Sequence, residues 1–148
     1  MNPDDFPLYP SPFFAGLVTH RFFATWDFYT ERLGFRTVAE SGAGVRLLHP
    51  CGAQLGLMPA ETGETPAELV SGTNGRGFWL NLEVADAAAE RMRLAAEGVA
   101  AQILPETACW PRGAFAISDP NGVLVVIMQR ASLVKRVDAV AAPVTAAA

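Results

Sequence analysis

The decapeptide HPCGAQLGLM at residues 49–58 returns as DPNGVLVVIM at residues 119–128, seventy positions further on. Each copy places a proline two residues before a glycine and follows it with an apolar strand ending in methionine. A second pair of landmarks keeps nearly the same spacing: Gly34 and Gly98, 64 positions apart, each close a helix-like stretch. A chain that repeats a helix end, a turn and a strand in this order builds one supersecondary unit twice. Neither unit can bury both faces of its sheet alone, so the two pack together or exchange across a dimer.

The elements follow from local pattern. Four prolines, at positions 3, 7, 10 and 12, discourage regular structure in an N-terminal arm, residues 1–12. FFAGLV (13–18) reads as a strand. RFFATWDFYTERL reads as a helix, with Phe22, Trp26, Tyr29 and Leu33 on one stripe and Gly34 as its C-cap. Residues 35–40, 44–48 and 53–58 read as strands joined by tight turns. Residues 59–76, rich in Thr, Glu, Pro and Gly, form a linker with a turn of helix at 66–70. The second half repeats the order: strand 78–84, a helix capped by Asp86 and ended by Gly98, then strands 99–104, 114–118 and 123–128. The predicted fold is therefore α+β: tandem βαβββ modules at 13–58 and 77–130, forming a curved mixed sheet around a cleft, followed by a tail, 131–148.

Strand alternation assigns faces. Phe78, Leu80, Leu82 and Val84 face the helices, as do Val123, Val125 and Ile127, and Leu55 and Leu57. The opposite face carries Trp79, Asn81 and Glu83, then Leu124, Val126 and Met128, then Gln54, Gly56 and Met58. A face mixing one Trp, amides, a carboxylate, methionines and glycine is a candidate ligand cleft.

Composition excludes several classes. The net charge is −4 with pI near 5.1, and no basic stripe suits a phosphate backbone. The one basic cluster, Arg130, Lys135 and Arg136, reads as solvated surface. No apolar run reaches the length of a membrane span, and the N-terminus lacks a secretory signal pattern. Cys51 and Cys109 have no metal-motif spacing and read as free thiols of a cytoplasmic protein. The glycines of GAGVR and GTNGRG read as turns, since neither segment links a strand to a helix as a phosphate loop does.

FYTERLGF at 28–35, LEVAD at 82–86 and DPNGVLVVIMQ at 119–129, in this order and spacing, resemble the vicinal-oxygen-chelate superfamily of glyoxalases, bleomycin-resistance proteins and extradiol dioxygenases. The resemblance spans residues 13–130. It implies paired βαβββ modules curling around a cleft, often completed by a homodimer. It also implies a divalent metal held from the first and last strands of each module. Placed on this chain, those ligand positions fall on Ala15, Gly56, Trp79 and Val126, none with a ligand atom. A shift of one residue in the first strand gives Phe14 or Gly16, which changes nothing. The chain has only two histidines. His20 reads as a capping or surface residue and His49 as a turn residue matching Asp119, so three converging donors are not in view. No metal or other cofactor is expected.

Trp79 either fills the former metal space as a stacking surface or closes the core between modules. Trp110, Arg112 and Phe115 lie in CWPRGAF, similar to a Trp-Gly-x-Arg-x-x-Phe pattern of non-metal relatives but with compressed spacing. Arg112 is thus either a clamp or a surface residue. The expected ligand site is Trp79, Asn81, Glu83, Gln54, Met58, Trp110, Arg112, Phe115 and Met128. It suits an aromatic, amphiphilic or cationic guest by stacking and cation–π contact. That is the first reading: metal-free sequestration in a homodimer, as in the bleomycin-resistance branch. The second is a glyoxalase-like enzyme with a relocated site drawn from Glu83, Arg112, His20 and Tyr29. The third is a structural or regulatory dimer with a closed cleft.

Overall fold

A computed structural model describes residues 13–61 and 66–130. The arm at 1–12, the tail at 131–148, and Lys135 and Arg136 of the basic cluster lie outside the described residues. The first module runs β1 (Ala15–Thr19), α1 (Phe22–Asp27), β2 (Arg36–Ser41), β3 (Gly44–Leu48) and β4 (Gln54–Pro59). The helical stripe holds as expected: Tyr29 and Leu33 are buried, with Phe22 and Trp26 packed against the same core. The helix does not stay α. It widens to π-helix over Phe28–Arg32, and the Phe35 N–H reaches back to the Tyr29 carbonyl at 3.0 Å across Gly34, whose φ is +77°.

The second module runs β5 (Trp79–Val84), α2 (Ala87–Ala96), β6 (Gln102–Ile103), β7 (Phe115–Ser118) and β8 (Leu124–Gln129). Asp86 caps α2 by accepting the Ala89 N–H at 2.9 Å. At the other end Gly98, φ +80°, completes a Schellman turn, with its own N–H on the Ala95 carbonyl and the Val99 N–H on the Leu94 carbonyl. The predicted strand at 99–104 shrinks to two residues. It is the edge of its sheet, it opens on three small residues, and Pro105 ends it.

The repeated turns do one job with two chemistries. In DPNG the Asp119 carboxylate accepts the N–H groups of Asn121 at 2.8 Å and Val123 at 2.9 Å. In HPCG the His49 Nδ1 accepts the Cys51 N–H at 3.1 Å. Both turns close with the glycine N–H on the first residue's carbonyl, and both glycines have positive φ. His49 is thus a turn residue, and burial lowers its pKa.

The βαβββ repeat forms two four-stranded mixed sheets, ordered β1-β4-β3-β2 and β5-β8-β7-β6, rather than one continuous sheet. Their helix-bearing faces share a single core, in which Leu17, Leu55 and Leu57 meet Leu82, Val125 and Ile127 around Tyr29 and Leu94. Polar groups stitch the halves together. The Tyr29 hydroxyl donates to Asp119 at 2.9 Å, and Asn121 accepts from Thr19 at 2.5 Å while donating to Thr25 at 3.0 Å. Because the helix faces are spent on this core, the opposite faces of both sheets lie outside it.

Candidate functional site

The two outward faces differ because the loops beside them differ. In the first module β2 and β3 are joined by the two residues 42 and 43, too few to fold back over the sheet. In the second, residues 104–114 separate β6 from β7, and Trp110 lies over a cluster of Leu104, Ala114, Ala116, Val126 and Met128. The second face is therefore largely covered by its own loop. The first holds an open cavity of about 370 Å³, within the size range of small-molecule sites.

Strand register sets what that cavity contains. Residues opposite one another across a sheet share a face. Gly16 pairs with Gly56, Gly56 with Arg46, and Arg46 with Ala39, so one row across the face reads Gly, Gly, Arg, Ala. Three of the four positions have little or no side chain, and this row is the floor. Val18 and Met58 pair on one side of it, and the Phe14 ring lies on the other. A β-carbon at Gly56 would sit 3.2 Å from Phe14 Cε2, whereas one at Gly16 would meet nothing within 4 Å. The Arg46 guanidinium stacks 3.8 Å from the centre of the Phe14 ring.

The linker supplies the remaining wall. A short 3₁₀ turn, Ala67–Leu69, brings Leu69 to the cavity. The segment is held by the Thr73 N–H on the Val18 carbonyl at 2.7 Å and by His20, which bridges Glu61 at 2.7 Å and the Ser71 carbonyl at 3.0 Å. The Glu61 contact raises the pKa of His20 and lowers that of Glu61. His20 is thus an exposed tie for the linker, and it does not line the cavity.

The same register corrects the placement of the ligand positions. Ala15 pairs with Leu55 and shares the helix face, so the outward-facing residues of β1 are Gly16 and Val18, with Phe14 continuing the alternation just before the strand. Asn81 pairs with Val126 as Gly16 pairs with Gly56, which makes Phe14 the counterpart of Trp79. The row equivalent to the floor is Asn81, Val126, Ala116 and Gln102. Two amides are the only polar side chains at these positions, and no group of three or more His, Cys, Asp or Glu able to hold a metal occurs among the described residues. The donor set does not fit a divalent ion.

Of the nine ligand residues read from the sequence, Met58 alone lines the cavity. Phe115 is fully buried in the shared core, since it pairs with Ile127 on the helix face. Met128 is buried beneath Trp110. Arg112 is 89% exposed and pairs with Glu106 at 3.2 Å, a surface contact and no clamp for the cavity. Trp79 is 51% exposed and packs edge-on to Trp110, with ring centres 6.0 Å apart. Gln54 and Asn81 border a small crevice between the modules, and Glu83 a depression with Pro50 and Arg130. The catalytic candidates are not brought together. Tyr29 is fully buried on Asp119, and burial raises its hydroxyl pKa well beyond the usual range. Cys51 and Cys109 are free thiols away from the cavity. Phe14, Gly16, Arg46 and Leu69 were missed. Nothing in local sequence singles out Arg46, because its significance lies in the small residues on neighbouring strands.

The fold is that of two paired βαβββ modules. Residues 14–127 match the Glyoxalase/Bleomycin resistance protein/Dioxygenase superfamily, and the chain belongs to it. No curated protein matches the sequence. Among solved structures, TnmS3, an antibiotic binding protein from Streptomyces sp. CB03234, is 25% identical over 80% of this chain and 93% of its own, with a TM-score of 0.57. A glyoxalase/bleomycin resistance protein from the same organism is 24% identical, covering 78% and 97%, with a TM-score of 0.58. A lactoylglutathione lyase from Agrobacterium tumefaciens is 22% identical, covering 80% and 93%, with a TM-score of 0.56.

Proposed function

We propose that this protein binds and sequesters a small aromatic or amphiphilic molecule on the outward face of its first module, without metal and without catalysis. The observation that carries the reading is the cavity itself. Its glycine floor is flanked by Phe14, Val18, Met58 and Leu69; the one hydroxyl in the lining, Ser41, accepts the Ala43 N–H at 3.1 Å within its own turn, and the lining holds no His, Cys or Lys. The likeness to an antibiotic binding protein supports the same class.

A homodimer completes the site in this reading. Phe14 and Trp79, repeat counterparts, are both substantially exposed on the outward faces, and such apolar surface favours association. A two-fold arrangement sets the first-module face of one chain against the second-module face of its partner, so each cavity gains an aromatic roof. N-phenyl-1-naphthylamine, a neutral bicyclic probe, should quench tryptophan emission saturably. The Gly16→Leu variant should abolish the effect by placing a side chain in open space. Equal quenching of both proteins would exclude this cavity as the site.

A further inference from the structure

The proposed binding site contains one charge that the apolar reading does not use. Arg46 lies in the middle of the floor row, on the inner strand β3, with Gly56 on one side and Ala39 on the other. Both neighbours are small, so the guanidinium lies over the sheet and stacks on Phe14 at 3.8 Å. Among the described residues Arg46 makes no ion pair. Glu40 borders the cavity, but it pairs opposite Val45, whose side chain belongs to the core face. The charge is also particular to this half of the repeat, because its counterpart in the second module is Ala116, buried and apolar.

A half-buried guanidinium gains little from an apolar cavity unless something meets its N–H groups. Stacking on Phe14 holds the planar fork while leaving its edge free, and that edge matches two oxygens of an anion. We propose that the natural ligand is an aromatic anion, a ring or fused rings bearing a carboxylate, sulfonate or acidic hydroxyl. Its charged group pairs with Arg46, and its rings lie over the glycine floor against Met58 and Leu69. This deepens the sequestration reading, on which it rests, and reverses the cationic preference that the tryptophans and Glu83 suggest from sequence. Arg46 sets specificity and Gly16 sets space.

Two probes that differ by one group separate the claims. 8-Anilinonaphthalene-1-sulfonate carries an anion, and N-phenyl-1-naphthylamine is the same ring system without it. Fluorescence titration of the full chain should show the sulfonate bound more tightly than the neutral amine. Arg46→Met should weaken the sulfonate roughly tenfold or more and leave the amine within about threefold, with Arg46→Lys recovering part of the loss. Raising the salt concentration should weaken only the sulfonate. Gly16→Leu should remove both. Equal loss of both probes in Arg46→Met, or no loss of either, would overturn the anionic assignment while leaving sequestration standing. Both probes binding Gly16→Leu as tightly as the wild type would overturn the cavity, and with it the reading beneath.

Discussion

Single residues carry the repeat. Asp119 and His49 occupy the same turn position and accept the same backbone hydrogen bond, but only Asp119 has further oxygen capacity to take the Asn121 side chain within its own turn and the Tyr29 hydroxyl from across the module boundary. The second turn therefore holds the two halves together and the first does not. Tyr29→Phe removes a buried bond to a carboxylate and should destabilise the protein by about 1.5–3 kcal/mol in urea unfolding. Asp119→Ala should cost more, because two backbone N–H groups lose their acceptor as well. Gly16→Leu should leave the unfolding free energy within about 0.5 kcal/mol of wild type, since a β-carbon at this strand position meets nothing within 4 Å. A large loss of stability there would mean that the floor is closed. The turn pairing was legible from the sequence because it is local. The Gly-Gly-Arg-Ala row was not, because it is assembled from four strands whose register no single strand encodes.

Elements decide where the site opens. The stripe of the first helix and most strands were readable from periodicity, and the helix-facing sets of β4, β5 and β8 are those that alternation gives, except for Phe78, which precedes β5 and is 39% exposed. Periodicity could not say which outward face would stay accessible, because that depends on loop length. A two-residue hairpin leaves the first face bare, while the long loop carrying Trp110 covers the second. The residues expected at the site came largely from the second module and are mostly covered or elsewhere for this reason. Phe115 adds a phase error: grouped with the loop motif before it, it belongs to the core face of β7.

The segment bearing Leu69 has its own pH dependence. The His20 pKa is raised above 6.5 in the folded chain, so its contribution is full below that value and lost as pH rises through the folded pKa. The Glu61 pKa is lowered below 4.5, so its contribution is full above that value and lost as pH falls through the folded pKa. The tie should therefore be firmest between these limits. Amide exchange at residues 71–73, corrected for intrinsic rate, should be slowest there. His20→Ala should flatten the profile. An unchanged profile in that variant would show that the segment is held without the ion pair.

At the scale of the molecule, the shared core explains why, in the proposed dimer, one chain would carry half-sites. Both helix faces are buried against each other; the first outward face is left open, and the second is largely covered by its own loop, with Trp79 still half exposed. Light scattering should give about twice the 15.8 kDa chain mass. Trp79→Asp, placing a charge on the edge strand of the second outward face, should shift the protein toward monomer. A wild-type monomer at micromolar concentration would remove the roof from the site. No helix among the described residues is long and apolar enough to cross a membrane.

The most direct measurement is a native mass spectrum of the wild type and of Gly16→Leu, each incubated with N-phenyl-1-naphthylamine and, separately, with Zn(II), Ni(II) and Mn(II). The account expects a wild-type dimer carrying the organic ligand and no stoichiometric metal, and a Gly16→Leu dimer carrying neither. A metal retained at one per site, or an organic adduct equally abundant on Gly16→Leu, would contradict it.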